Sequence, residues 1–301
     1  MTPQNVASRP KPMIAKPPLR LSSSRLLVEI IAPSTQQRGS RFDRAGFITQ
    51  VTLDSEHTFC TTESADGTGG AGLCNEFGIT TAVGFEAAPP GAQFVKPGVG
   101  LLTRPDEKPY AFWHNYPVQP FPVHVEHTAD CAVFLTEPLD CRGYALRLSK
   151  TLQVRENQLR IHYSAENVGH SRISVDEYRH NFIALDDRGP GPGQQLRLPF
   201  TPEPERGFGG LQITGSTITW TQAPRRVFHG RLHGFKDCLN PWWELIDETA
   251  GIGMRESTSF PWSRFALYGT ARLLSPEAFV QLDLEPGQRQ QWQRDYLFFG
   301  L

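Results

Sequence analysis

The sequence predicts an all-β protein, either a sandwich or a barrel. Gly and Pro are frequent, with 27 and 25 residues among 301, and they separate short segments in which apolar and polar residues alternate. Such alternation buries one face of a strand and leaves the other open. Convincing helical periodicity is almost absent, and the length is ample for one large β domain.

The charge balance excludes several classes of function. Lys and Arg number 30 and Asp and Glu 31, so there is no overall basic field for a nucleic acid or an anionic membrane. No apolar run resembles a membrane helix or a signal peptide, and we therefore expect a cytoplasmic protein. Residues 1–25 are rich in Pro and carry only positive charges, which predicts a flexible segment before a domain of residues 26–301.

The five cysteines are scattered and form no C-x-x-C pair. This pattern argues against a disulfide framework and against a structural zinc site. Cys131 and Cys141 could bridge a hairpin in an oxidising compartment, but the sequence favours buried free thiols. The glycine-rich stretch 67–72 lacks the Lys-Ser/Thr pair of a phosphate-binding loop, so we expect neither a metal nor an organic cofactor.

The first half of the chain alternates strands with long loops. Residues 25–31 and 47–53 are predicted strands. A polar, glycine-rich loop is predicted for residues 61–78, and another irregular stretch for residues 84–116. Loops of this length in a compact domain are usually functional or disordered, and the aromatic content of the second stretch favours a functional role.

The second half contains the clearest elements. Residues 146–154 and 159–163 alternate on either side of a polar connection, which predicts an antiparallel hairpin. A turn at residues 167–171 leads into a strand that begins at Arg172. Near the C-terminus, an alternating run at residues 280–284 and a final apolar strand at residues 292–299 flank a Pro-Gly turn.

The strand after Arg172 has a polar and aromatic face opposite its core face. Period-two geometry places Ile173 and Val175 in the core. The opposite face carries Ser174, Asp176, Tyr178, His180 and Phe182. The same alternation turns Glu177 and Arg179 inward, which is costly unless they form ion pairs or a bulge re-aims them.

These segments resemble the aldose 1-epimerase (galactose mutarotase-like) family. One block runs from Tyr144-Ala-Leu-Arg-Leu through Leu159-Arg-Ile-His-Tyr-Ser-Ala to Tyr178-Arg-His180-Asn-Phe-Ile-Ala-Leu. A second contains Glu277, the Leu284-Glu-Pro-Gly287 turn and the last strand, and Arg41-Phe42-Asp43 is a weaker third. The resemblance implies a mutarotase-like β-sandwich (supersandwich), and a cofactor-free isomerase that acts on a small carbohydrate as a monomer or homodimer.

In that family a histidine and a glutamate carry the chemistry, and here they correspond to His180 and Glu277. Anomer interconversion needs a base for the anomeric hydroxyl and an acid for the ring oxygen. We expect His180 as acid and Glu277 as base on opposite sides of the sugar, with Asp176 favouring the charged imidazole. Glu277 could instead belong to a solvated turn, and Glu256 is the reserve candidate.

Several further side chains are candidate sugar contacts. The arginines could donate hydrogen bonds to hydroxyls or form surface salt bridges, and Trp113 or Trp243 could stack on a pyranose or belong to the core. His114 lies where the family often has a second histidine. The substrate-binding candidates are Arg41, Arg104, His114, Tyr178 and Trp243.

The chain also departs from the family pattern. Arg179 replaces the Asn that usually precedes the catalytic His, and the expected acidic residue between His and Glu has no clean match, Asp237 being a guess. These departures indicate a divergent member whose substrate is not free galactose or glucose. The alternatives are a non-catalytic carbohydrate-binding protein that uses the same cleft and an accessory domain of a polysaccharide lyase or glycoside hydrolase.

Overall fold

The computed structural model describes residues 18–32, 39–64, 69–205 and 210–301. All regular secondary structure within these ranges is β-strand, as the sequence predicts. The strands are β1 (Leu19–Ser22), β2 (Leu26–Ile30), β3 (Ile48–Leu53), β4 (His57–Thr58), β5 (Leu73–Phe77), β6 (Gln93–Lys96), β7 (Gly100–Thr103), β8 (Val118–Pro120), β9 (Val123–His127), β10 (Cys131–Thr136), β11 (Leu146–Arg155), β12 (Gln158–Asn167), β13 (Ile173–Asn181), β14 (Gln194–Arg197), β15 (Glu203–Pro204), β16 (Leu211–Thr214), β17 (Thr217–Trp220), β18 (Phe228–His233), β19 (Trp242–Asp247), β20 (Ile252–Thr258), β21 (Arg264–Gly269), β22 (Leu274–Leu284) and β23 (Arg289–Gly300).

Two ten-stranded sheets form the sandwich. The first has the order β1-β2-β3-β5-β13-β22-β21-β18-β15, with β4 paired to β3. The second has the order β16-β17-β14-β19-β20-β23-β12-β11-β10-β9, and β6, β7 and β8 form a small third sheet. One large apolar cluster contains side chains from both large sheets, so the main core lies between them.

The predicted hairpin is confirmed as β11 and β12. Their residues pair without interruption from Leu146–Asn167 to Arg155–Gln158, and alternate side chains are buried. The turn consists of Glu156 and Asn157, with Glu156 in the left-handed region at φ 51°. Because β12 also pairs with β23, this hairpin lies inside the second sheet rather than at its edge.

Two stretches expected to be irregular contain strands. The predicted loop 61–78 includes β5, whose five residues are all buried. The stretch 84–116 includes β6 and β7. Side chains on both faces of β5 are covered, so its sequence shows no alternation between apolar and polar residues, and this is why the pattern did not reveal it.

The N-terminal segment is described only from residue 18 onward. Residues 1–17 of the predicted flexible segment lie outside the described residues. Within the remainder, β1 pairs along its whole length with β2, so ordered structure begins before residue 26. The described residues contain no helix of the length and hydropathy needed to cross a membrane.

All five cysteines are free thiols, including Cys131 and Cys141. Cys60, Cys74 and Cys141 are buried, as the sequence predicts, whereas Cys131 and Cys238 are partly exposed. Burial raises the pKa of the Cys60 thiol to about 12, so this thiol is unreactive.

Strand β13 lies near the middle of the first sheet, between β5 and β22. Ile173 and Val175 belong to the core between the sheets, whereas Tyr178 and Phe182 belong to smaller apolar clusters. The two faces of β13 therefore differ as the alternation predicts. The face away from the second sheet forms part of the candidate site.

Candidate active site

A cleft of about 460 Å³ opens on the first sheet, within the range of small-ligand pockets. Strands β13, β22, β21 and β18 supply its floor, and the segments around residues 41, 63, 79 and 112 supply its walls. Its lining residues are Arg41, Glu63, Ile79, Phe112, Trp113, Tyr178, His180, His229, Tyr268 and Glu277.

His180 and Glu277 contact each other at this floor. Phe279 pairs with Tyr178, so the antiparallel register places Glu277 directly beside His180. Nδ1 of His180 lies 2.9 Å from Oε1 of Glu277, but off the direction of a good hydrogen bond, since Nδ1 has no hydrogen-bond partner. Glu277 is held in turn by the hydroxyl of Ser275, which donates to Oε1 at 3.0 Å.

This arrangement differs from the expected one, in which the sugar separates the acid from the base. Neighbouring strands bring the two side chains together, and both are almost fully buried. The turn proposed as an alternative for Glu277 is absent, because Ser275, Pro276 and Glu277 all belong to β22. Acid and base therefore meet a ligand from the same side.

Two carboxylates flank the imidazole of His180. Burial lowers its pKa, but the charge of Glu277 and the contacts with Glu277 and Glu76 outweigh burial, and the pKa is raised above 6.5. Asp176, the expected partner, instead pairs with Arg264. The charged imidazole is thus favoured, but by different carboxylates from the one expected.

Glu76 of β5 is the carboxylate of the site with the most hydrogen-bond and ion-pair contacts. Oε2 accepts hydrogen bonds from Arg41 at 2.9 Å and from the Tyr178 hydroxyl at 2.8 Å, and it lies 3.1 Å from Nε2 of His180. Oε1 lies 3.3 Å from Nζ of Lys96. Burial raises the pKa of Glu76, but Lys96, His180 and Arg41 together lower it by more. The pKa is therefore about 2, below the ordinary value of 4.5. Glu76 is therefore an anion that fixes one side of the imidazole.

Arg41 connects this buried cluster to the open part of the cleft. Its guanidinium donates to Glu76 and, at 2.9 Å, to Glu63. It also lies over the rings of Phe42 and Phe112, at 4.5 and 5.0 Å from their centroids. About a fifth of each side chain of the Arg41–Glu63 pair is exposed, so both present polar atoms to a ligand.

Aromatic rings surround the imidazole and line the entrance. Phe182 stacks on His180 at 5.1 Å, and Phe42 approaches edge-on at 5.4 Å. Trp113 lies at the entrance with 74% of its surface exposed and meets Phe112 edge-to-face at 5.0 Å. A rigid polar floor under an exposed indole is suited to a sugar, which has hydroxyls around its edge and an apolar face.

Of the predicted site residues, the structure brings together Arg41, Tyr178, His180 and Glu277. Arg104 lies elsewhere and donates to backbone carbonyls, including that of Ala88 at 2.8 Å. His114 is exposed and lines a neighbouring hollow. Trp243 is completely buried and cannot stack on a ligand.

The reserve candidate Glu256 and the guessed acidic residue Asp237 are also outside the cleft. Glu256 is buried between Arg294, at 2.7 Å, and the Trp243 indole, which donates to it at 2.7 Å. Asp237 lies on the exposed surface. Neither can reach a ligand that contacts His180.

The sequence reasoning missed four polar residues at the site, and also Ile79 and Phe112 in its walls. Glu63 and Glu76 fall in the stretch interpreted as a loop, and recognition of β5 would have placed Glu76 beside Tyr178. His229 and Tyr268 pair with each other on β18 and β21. Their polar and aromatic alternation was the only available signal. Among the described residues, no group of three or more His, Cys, Asp and Glu side chains could hold a metal ion.

Comparison with solved structures identifies the fold. A provisionally assigned aldose 1-epimerase from Escherichia coli has a TM-score of 0.64 at 12% identity, over 94% of this chain and 99% of that one. A galactose mutarotase-like protein from Lactobacillus casei has a TM-score of 0.60 at 11% identity, over 94% and 100%. An aldose epimerase homologue from C. elegans has a TM-score of 0.58 at 12% identity, over 94% and 99%.

The chain thus has the all-β fold of aldose 1-epimerase and galactose mutarotase-like proteins over nearly its whole length. At these identities the similarity is one of fold. No family model matches the chain, and no curated protein matches it in sequence. The fold agrees with the resemblance found in the sequence.

Proposed function

We propose that the protein is an aldose 1-epimerase-like isomerase that interconverts the anomers of a sugar or sugar derivative in the cytoplasm. The observation that carries this proposal is the contact between His180 and Glu277 at the floor of a cleft of sugar size. Imidazole and carboxylate are the acid–base pair that ring opening needs. The aromatic entrance and the Arg41–Glu63 pair supply apolar and polar contacts for the ring.

The closeness of the two groups suits this reaction. The anomeric hydroxyl and the ring oxygen are bonded to the same carbon atom, so an acid and a base side by side can address both. Glu277 takes the proton of the anomeric hydroxyl while His180 protonates the ring oxygen, and the C1–O5 bond opens. After rotation about the C1–C2 bond, the reverse transfers close the ring on the other face of the aldehyde.

In this proposal Glu76 is a positioning residue. It contacts the imidazole through Nε2, so Nδ1, which Glu277 faces, is the nitrogen that exchanges a proton once the ligand displaces that carboxylate slightly. It also stabilises the charged form of His180, the form that acts as an acid. Arg41, Lys96 and Tyr178 hold Glu76 in place for this purpose.

One observation favours a second candidate, a carbohydrate-binding protein without catalysis. Both imidazole nitrogens face carboxylates, and His180 as a whole is 4% exposed. Unless a ligand displaces Glu277 slightly, the acid proton has no path to the ring oxygen. The cleft would then bind sugars and leave their anomers unchanged.

NMR measurement of anomer exchange distinguishes the two candidates. A panel of aldoses, uronic acids and sugar phosphates is tested for exchange faster than in buffer, together with direct binding. We expect accelerated exchange for at least one sugar, and a reduction of about 10²–10⁴-fold in His180→Gln and in Glu277→Gln, the usual contribution of a general acid or base. Circular dichroism confirms that each variant is folded.

The matched control is Glu166→Gln on β12, which changes a partly exposed carboxylate that pairs with Arg289. It should exchange anomers at the wild-type rate. Binding of several sugars without acceleration of any would establish the second candidate. Full activity of a folded His180→Gln variant would remove this residue from the mechanism.

A further inference from the structure

A second hollow adjoins the cleft. It has a volume of about 200 Å³ and is lined mainly by the segment between residues 105 and 116. Its lining residues are Phe85, Pro105, Asp106, Lys108, Pro109, Ala111, Trp113, His114 and Tyr116. The feature to explain is that Trp113 lines both spaces.

The large exposed area of Trp113 requires a physical explanation. A large indole with 74% of its surface open to water leaves much apolar area uncovered. Its neighbours on either side in sequence are directed to different spaces, since Phe112 lines the cleft and His114 lines the hollow. The indole thus stands between the two spaces.

The composition of the hollow indicates what occupies it. Aromatic surface is combined with an exposed Lys108–Asp106 pair, whose charged atoms lie 3.4 Å apart. Flat apolar surface next to planar and charged hydrogen-bonding groups suits a sugar ring better than a purely apolar group. The pair also offers both a donor and an acceptor, whereas a phosphate would favour donors alone.

The other side of the cleft is formed around Ile79. Ile79 packs against the cluster of Tyr178, Ala266 and Phe279, and the guanidinium of Arg264 lies 3.9 Å from the centroid of the Phe279 ring. The hollow of about 290 Å³ beside Arg264 shares no lining residue with the cleft, whereas the hollow beside Trp113 does, so a ligand longer than one ring extends toward Trp113.

We propose that the hollow beside Trp113 is a second sugar subsite, and that the ligand is an oligosaccharide whose reducing-end ring occupies the cleft. This inference rests on the proposed function, because the anomeric carbon must lie at His180 and Glu277. Ring opening requires a free anomeric hydroxyl, so the second sugar is attached through another oxygen of the first ring. Trp113 contacts both rings.

The test compares monosaccharides with disaccharides that share the same reducing-end ring. Glucose is compared with maltose, cellobiose and isomaltose, and galactose and mannose with their O4- and O6-linked disaccharides. Anomer exchange is followed by NMR and binding by calorimetry. We expect kcat/KM for at least one disaccharide to exceed that of its monosaccharide by about tenfold, the factor that corresponds to about 1.4 kcal/mol.

Variants assign that preference to the hollow. His114→Ala should lower the ratio of disaccharide to monosaccharide kcat/KM, whereas Trp113→Ala should raise KM for both ligands. Sugar binding should also change the intrinsic fluorescence of the wild type more than that of Trp113→Ala. Leu239→Ala, which removes a side chain that is 91% exposed and lines neither the cleft nor the hollow, is the control and should leave all values unchanged.

The outcomes separate this inference from the proposed function. Exchange of monosaccharides with no disaccharide preferred overturns the second subsite and leaves the isomerase standing. Tighter binding of a disaccharide, lost in His114→Ala, without any exchange supports the subsite and refutes catalysis. Absence of both binding and exchange across the panel overturns both.

Discussion

The two faces of the first sheet at β13 and β22 carry buried charged groups that serve different ends. On the inner face, Glu177 and Arg179 have no exposed surface. Glu177 pairs with Arg294 at 2.9 Å, and Arg179 donates to Asn75 at 2.9 Å. On the outer face, His180 and Glu277 are almost as deeply buried but border an open cleft.

The difference lies in what stands opposite each face. Arg294 belongs to β23 of the second sheet, so the charges of the inner face connect the two layers of the sandwich. The charges of the outer face border space that a ligand can enter. A buried charge is therefore no sign of function by itself. What distinguishes the candidate site is burial next to a cavity that a ligand can enter.

Breaking the inner pair should have the largest effect on stability. Arg294→Met leaves Glu177 and Glu256 buried without their cation, which should reduce the free energy of unfolding by about 3–5 kcal/mol. Urea denaturation measures this loss. Arg289→Met on the same strand removes an exposed partner of Glu166 and should cost about 0–1 kcal/mol.

A loss in Arg294→Met no larger than in its control would contradict the structural role of the inner face. Arg294→Lys helps to identify the cause. It keeps the charge but cannot reach Glu177 and Glu256 with a planar fork, so its stability should be intermediate.

Disturbing the outer face should affect exchange more than folding. Glu76→Gln keeps the shape of the side chain but removes one of the two carboxylates that raise the pKa of His180. We expect kcat for anomer exchange to fall about 10–100-fold, the usual effect of losing a group that orients a functional side chain. The alkaline limit of activity should also move to lower pH.

A purely structural role of Glu76 would not move the pH limit. In that case activity would fall in proportion to the folded fraction, with an unchanged pH profile. Glu166→Gln again serves as the control, since it alters a carboxylate of the same kind outside the cleft.

Much of this comparison follows from the sequence, because side-chain direction in a strand alternates strictly. Alternation separated Tyr178 and His180 from Glu177 and Arg179, and it required partners for the inner charges. The structure supplies those partners in Asn75 and Arg294. Their identity could not be predicted, since β5 and β23 are far from β13 in the chain and pairing between distant strands leaves no local pattern.

The candidate site was harder to predict than the fold. Two indoles that were both candidates for stacking on a sugar differ completely, since Trp243 is buried and Trp113 is exposed. The expectation that a sugar separates His180 from Glu277 came from the chemistry of ring opening, and it did not take account of β13 and β22 being neighbours. Glu76 was missed because it lies on a strand with two buried faces.

The smallest expected effect is a pH dependence that only the outer face should show. The pKa of His180 is raised in the folded protein above its ordinary value of 6.5. Its contribution to stability is therefore fully present below about pH 6.5 and is lost as the pH rises through the folded-state pKa. The difference in unfolding free energy between wild type and His180→Gln, measured with urea between pH 5.5 and 9, should shrink with increasing pH. The corresponding difference for Arg294→Met should stay constant, because the raised pKa of Arg294 keeps this guanidinium charged throughout. Parallel curves for the two variants would show that His180 is not held as a cation, and Glu76 and Glu277 would then have no electrostatic role at the imidazole.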